Sequence, residues 1–108
     1  MPLYETMFIA RQDMTPAQVD ELAQSFAKVI TDGEGKVLKT DNWGLKTLAY
    51  RINKNRKGYY VLFNFDTPAP ALIEMERLMR LNEDVLRYLS IKVEEFVENN
   101  NAEEKEAA

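Results

Sequence analysis

The chain of 108 residues contains no cysteine and no histidine. Without cysteine there is no disulfide, iron–sulfur cluster, thiolate zinc site or thiol nucleophile. Without histidine the commonest general base and the commonest metal ligand are missing too. No apolar run approaches the roughly 20 residues of a membrane helix. The start, Met1-Pro2-Leu3-Tyr4-Glu5, lacks the basic region and apolar core of a signal peptide. These features lead us to expect one soluble cytoplasmic domain.

Acidic residues outnumber basic ones, for a net charge of −4. The distribution says more than the total. Between Lys36 and Gly58 stand seven basic residues and one acid, Asp41, giving that stretch +6 and leaving −10 for the rest. The cations are Lys36, Lys39, Lys46, Arg51, Lys54, Arg56 and Lys57. Such a chain presents a positive field locally despite its acidic total.

Leu3 to Ala10 is a short apolar and aromatic run, read as a buried strand. Thr15, Pro16 and Gln18 form a capping-box start for a helix. Val19, Leu22, Ala23, Phe26, Val29 and Ile30 then keep helical spacing. A left-handed stop is expected at Gly33 or Gly35. Lys36 to Ile52 reads as a long second strand, with Leu48, Tyr50 and Ile52 alternating and a bulge or close approach at Gly44. A polar turn over 53–58 leads to a third strand over 59–66. Thr67-Pro68 repeats the cap-then-proline signal, and Leu72, Met75 and Met79 give the buried stripe of a second helix ending near Leu81. Asn82-Glu83-Asp84 stops it, and Val85 to Phe96 is the fourth strand. From Glu98 onward the sequence is a short acidic tail, expected to be disordered, so the domain spans 1–97.

This order is the ferredoxin-like split βαββαβ plan of the α+β class: a four-stranded antiparallel sheet with two helices on one face. The plan hosts unrelated functions, so function must come from the site. The loop Ala10-Arg11-Gln12-Asp13-Met14 has no glycine to cradle a phosphate. Glu83-Asp84 and Glu94-Glu95 read as solvated charge at element ends. No nucleophile–base pair is visible, and no cofactor or catalytic role is expected.

The basic hairpin is the strongest signal. Edge strands carry lysine to block aggregation, which accounts for Lys36, Lys39 and Lys46. It accounts less well for Arg51, Lys54, Arg56 and Lys57 converging on one tip. A tip so charged neutralises phosphates. Lys57-Gly58-Tyr59-Tyr60-Val61-Leu62-Phe63 partly matches the base-stacking strand of RNA recognition motifs. The register disagrees, because Tyr59, Val61, Phe63 and Phe65 are the more apolar set and should face the helices. Tyr60, Leu62 and Asn64 are left for the open face.

Trp43-Gly44-Leu45-Lys46-Thr47-Leu48-Ala49-Tyr50, the basic turn and Gly58-Tyr59-Tyr60 together resemble the hairpin of the bacterial small-subunit ribosomal protein six family. Tyr4-Glu5 and Asn82-Glu83-Asp84-Val85-Leu86-Arg87 resemble its first strand and its last turn, so the likeness covers about residues 2–96. The resemblance implies a structural, non-catalytic protein of the ribosome. It implies binding to the central domain of small-subunit ribosomal RNA, jointly with small-subunit ribosomal protein eighteen as a heterodimer. The RNA contacts expected are Lys46, Arg51, Lys54, Arg56 and Lys57, with Arg80 and Arg87 bracketing the last turn. Tyr50, Tyr60 and Leu62 are expected to touch RNA or the partner from the sheet. Many members carry proline after the Ala-Tyr pair, where this chain has Arg51. Some also carry a long acidic extension, where this tail is brief.

Overall fold

A computed structural model describes residues 1–96. The elements run β1 (Leu3–Arg11), α1 (Pro16–Asp32), β2 (Lys36–Ile52), β3 (Asn55–Asp66), α2 (Ala69–Leu81) and β4 (Val85–Val93). The four strands form one sheet in the order β2-β3-β1-β4. All adjacent pairs are antiparallel. Both helices lie on one face, as the alternation predicts. The acidic tail falls outside the described residues.

The core lies between the helices and one sheet face. Phe8, Val61, Phe63 and Phe65 from the strands meet Val19, Ala23, Phe26 and Ile30 of α1 and Leu72, Met75 and Met79 of α2. Phe8 sits edge-on to Phe26 at 5.4 Å and stacks on Phe63 at 5.8 Å. Such aromatic pairs add about 1 kcal/mol each beyond the burial of their area. Partners in register share a face. Leu3, Glu5, Met7 and Ile9 of β1 therefore look the other way, beside Tyr60, Leu62 and Asn64 of β3 and Arg87, Leu89 and Ile91 of β4. Leu89 and Ile91 are exposed there.

The N-terminus of α1 is built as expected. Gln18 N–H donates to Thr15 Oγ1, and Thr15 N–H donates to Gln18 Oε1. At its C-terminus the left-handed residue is Glu34 (φ 70°), between the two glycines expected to supply it. Gly35 N–H donates to Ile30 O and Glu34 N–H to Thr31 O, the paired bonds of a Schellman stop. The glycines serve close packing instead. A Cβ on Gly33 would lie 2.5 Å from Ala71 Cβ, and one on Gly35 would lie 2.3 Å from Thr67 Oγ1.

Three other expectations shift. Helix α2 is entered from Pro68, and Thr67, fully buried, donates its hydroxyl to Pro68 O instead of capping the helix. Strand β4 ends at Val93, where its pairing with Leu3 ends. The hairpin turn contracts to Asn53-Lys54, both at positive φ (47° and 69°), so β3 starts at Asn55 and not Tyr59. A two-residue turn of this hand matches the twist of its strands.

Candidate nucleic-acid interface

The β2–β3 hairpin outruns the sheet. The β1–β3 ladder ends at Arg11↔Gly58, so residues beyond Gly58 toward the turn have no third strand beside them. Gly44 marks a bulge on β2, with φ 80° and a register shift between Asn42 and Gly44. Trp43, the extra residue of that bulge, donates Nε1–H to Asp41 Oδ2 at 3.2 Å. Lys46 Nζ lies 5.9 Å from the Trp43 ring centroid, at the outer limit of a cation–π contact.

Past Thr47 the arm carries Tyr50 on the open face, where the Arg87 guanidinium of β4 lies 5.1 Å from its ring centroid. On the same face Ile9 and Leu48 are buried, at 5% and 7% exposure, apart from the main core. Gly58 fits between them. A Cβ there would lie 2.4 Å from Ile9 Cγ2 and 3.4 Å from Leu48 Cδ2. This second, small apolar cluster packs the base of the arm against β1.

Arg51, Lys54, Arg56 and Lys57 are all exposed on this arm. Among the described residues the ion pairs involve other cations: Arg11, Lys28, Lys39 and Arg77. The four arm cations therefore have no carboxylate partner among the described residues. Lys46 lies further down β2, beside Trp43. Arg87 joins the arm through Tyr50. Arg80 does not. It sits in the last turn of α2 and donates Nη1–H to Tyr88 Oη, on the helix side of the sheet. Tyr60 and Leu62 are half-buried on the open face, and Tyr50 is exposed. Tyr59 is buried with the core, as the register predicts.

The loop after β1 is closed to anion chemistry by its own charges. Arg11 Nε donates to Asp84 Oδ1 at 2.6 Å, and its Nη1 pairs with Asp13. These bonds raise the Arg11 pKa, Asp84 contributing most, and Arg11 in turn lowers the Asp13 pKa. Asp84 is thereby committed to structure. Among the described residues no group of three His, Cys, Asp or Glu side chains is placed to hold a metal, and no helix is long and apolar enough to cross a membrane.

One contributor escaped the sequence reading. Gln12, a neutral loop residue, accepts at Oε1 from the backbone N–H groups of Arg56 and Lys57. No composition or period signal marks it.

Fold and site together define a small α+β domain that displays, on a hairpin, cations unpaired among the described residues, and on its open side a sheet face of mixed polarity with exposed Leu89 and Ile91. The family described as Ribosomal protein S6 matches residues 3–92. Proteins named small ribosomal subunit protein bS6 are similar over most of the chain. That of Bartonella bacilliformis is 57% identical over 102 residues, covering 94% of this chain and 75% of its own. That of Dinoroseobacter shibae is 56% identical over 98 residues, covering 91% and 84%. A crystal structure of 30S ribosomal protein S6 from Thermotoga maritima superposes with a TM-score of 0.79 at 25% identity, over 98% of this chain and 94% of that one. The chain belongs to the ribosomal protein S6 family of the small subunit.

Proposed function

We propose that this protein is a non-catalytic structural component of the small ribosomal subunit, working in the cytoplasm. It binds the central domain of small-subunit ribosomal RNA together with small-subunit ribosomal protein eighteen, through backbone and shape contacts. The observation that carries this reading is the arm: four exposed cations, Arg51, Lys54, Arg56 and Lys57, with no acidic partner among the described residues, on a hairpin that extends past the end of β1. Phosphates satisfy such groups without reading bases. Lys46 and Arg87 extend the positive surface toward the sheet, with Tyr50 beneath the Arg87 guanidinium. Arg80 contributes at most from the other side of the sheet.

The partner takes the open face. Leu89 and Ile91 are exposed there, and Met7 links Leu89 to Leu62 across β1, an apolar patch of the kind a protein neighbour buries. A basic partner would also balance the acidic remainder of the chain and speed encounter. Stacking of single-stranded bases on the third strand is not favoured, because Tyr59 is only 8% exposed.

The arm is tested by replacing Arg51, Lys54, Arg56 and Lys57 with alanine and titrating a central-domain RNA fragment, with protein eighteen present, across a salt series. Each duplex phosphate released flattens the log–log salt slope by about 0.9, so four lost contacts should flatten it by roughly 3 to 4. An unchanged slope would move the RNA contact off the arm.

A further inference from the structure

The arm needs a support that the sheet does not provide. On one side its ladder to β1 stops at Gly58. On the other, its register with β2 breaks between Thr47 and Ile52, where Leu48 to Arg51 face the single residue Arg56. Few ladder bonds are left to hold the segment carrying Arg56 and Lys57.

Gln12 fills this gap. Its Oε1 accepts from Arg56 N–H at 3.3 Å and from Lys57 N–H at 3.1 Å. Its own backbone N–H donates to Asn55 Oδ1 at 3.1 Å. Asn55 Nδ2 donates onward to Ile52 O and Asn53 O, which closes the turn. A continuous chain of hydrogen bonds therefore runs from the end of β1 to the tip. The side-chain amide stands where a longer β1 would have offered a backbone carbonyl. Gln12 is itself well seated, since Arg11 N–H donates to Asp84 O and the Arg11 side chain is clamped by Asp84 and Asp13.

We infer that Gln12 is a positioning residue for RNA binding: it touches no phosphate but fixes the backbone from which Arg56 and Lys57 project. This rests on the RNA-binding role proposed above. Ordering backbone during binding subtracts from affinity, so an arm ordered beforehand binds better with the same contacts. The signature of such a residue is specific. Its loss lowers affinity yet leaves the salt slope alone, because the bound state neutralises the same phosphates.

The test uses the full chain with Gln12→Ala and Gln12→Glu. Glutamate keeps an acceptor oxygen in the same place. Backbone order parameters for residues 53–57 are measured on the free protein, and salt-series titrations follow with the central-domain fragment and protein eighteen. In Gln12→Ala, order parameters at Asn55 to Lys57 should fall below about 0.6. Affinity should drop about fivefold at an unchanged salt slope. Gln12→Glu should restore the order parameters. Order parameters in Gln12→Ala that match the wild type overturn the inference, and they are read without RNA. A slope flattened as much as by Arg56→Ala also overturns it, by making Gln12 a direct contact. A wild type that binds no RNA overturns the parent reading instead.

Discussion

Gly58→Ala is the substitution that most sharply tests the packing at the base of the hairpin arm. Gly58 needs no left-handed backbone, so the reasoning rests on space alone. The new Cβ would lie 2.4 Å from Ile9 Cγ2 and 3.2 Å from Ala10 O. The carbonyl belongs to the central strand and is fixed by its ladder. Ile9 is 5% exposed and β-branched, so its χ1 has little freedom to yield. Overpacking of this kind costs about 1–3 kcal/mol. For a domain of this size 2 kcal/mol lowers Tm by roughly 10 °C. Urea unfolding followed by circular dichroism gives the free energy directly, with an unchanged slope if the fold is intact. The clash has one principal partner, which a double-mutant cycle isolates. Ile9→Ala alone should cost about 2–4 kcal/mol. Together with Gly58→Ala it should cost less than the sum of the two by about 1–2 kcal/mol, since the obstructing methyl is gone. Gly58→Ala within about 0.5 kcal/mol of wild type, or strict additivity with Ile9→Ala, would refute the close packing described here.

Thr15→Ala removes half of the capping box of α1 and should cost about 1 kcal/mol in urea unfolding. Gly44→Ala has open space around its Cβ, so it should lose only about 1 kcal/mol, the penalty of a left-handed alanine at φ 80°. Arg11 holds the Asp13 pKa below its ordinary value, so the Asp13 contribution to stability is complete above about pH 4 and fades as pH falls through the depressed folded value. Carboxyl NMR titration should show the Asp13 midpoint rising back toward the ordinary value in Arg11→Ala. Leu89→Asp, on the exposed open face, should change stability by less than about 0.5 kcal/mol yet abolish the proposed pairing with protein eighteen in a pull-down or calorimetric assay.

Much of this architecture is legible from local pattern. The alternation of Tyr59, Val61, Phe63 and Phe65 against Tyr60, Leu62 and Asn64 fixes which face of β3 is buried, because a strand has period two. The capping box at Thr15 and the stripe of Leu72, Met75 and Met79 follow from helical spacing. The departures arise where tertiary contacts override local preference. Glu34 takes the left-handed position because Gly33 and Gly35 are both needed for close approach. Lys54 accepts a positive φ because the ladder closes at Ile52↔Asn55 and leaves two residues for the turn. Thr67 carries the letter pattern of a cap, but its packing against Gly35 turns it inward.

The site divides in the same way. Arg51, Lys54, Arg56 and Lys57 announce themselves by charge density, and the hairpin places them on one arm. Arg80 and Arg87 bracket one turn in sequence, yet the sheet separates them: Arg87 reaches Tyr50 while Arg80 bonds Tyr88 behind it. Gln12 and the Ile9–Leu48–Gly58 cluster depend on contacts between distant strands, and no window of sequence contains them.

RNA binding is proposed to be shared between this protein and protein eighteen. The most direct measurement is a titration of the central-domain fragment of small-subunit ribosomal RNA with this protein, with protein eighteen, and with both. Shared binding predicts a tight, salt-sensitive complex only for the pair, weakened when Arg51, Lys54, Arg56 and Lys57 are replaced by alanine. Equal affinity for RNA with and without protein eighteen, or no binding even when both are present, would contradict it.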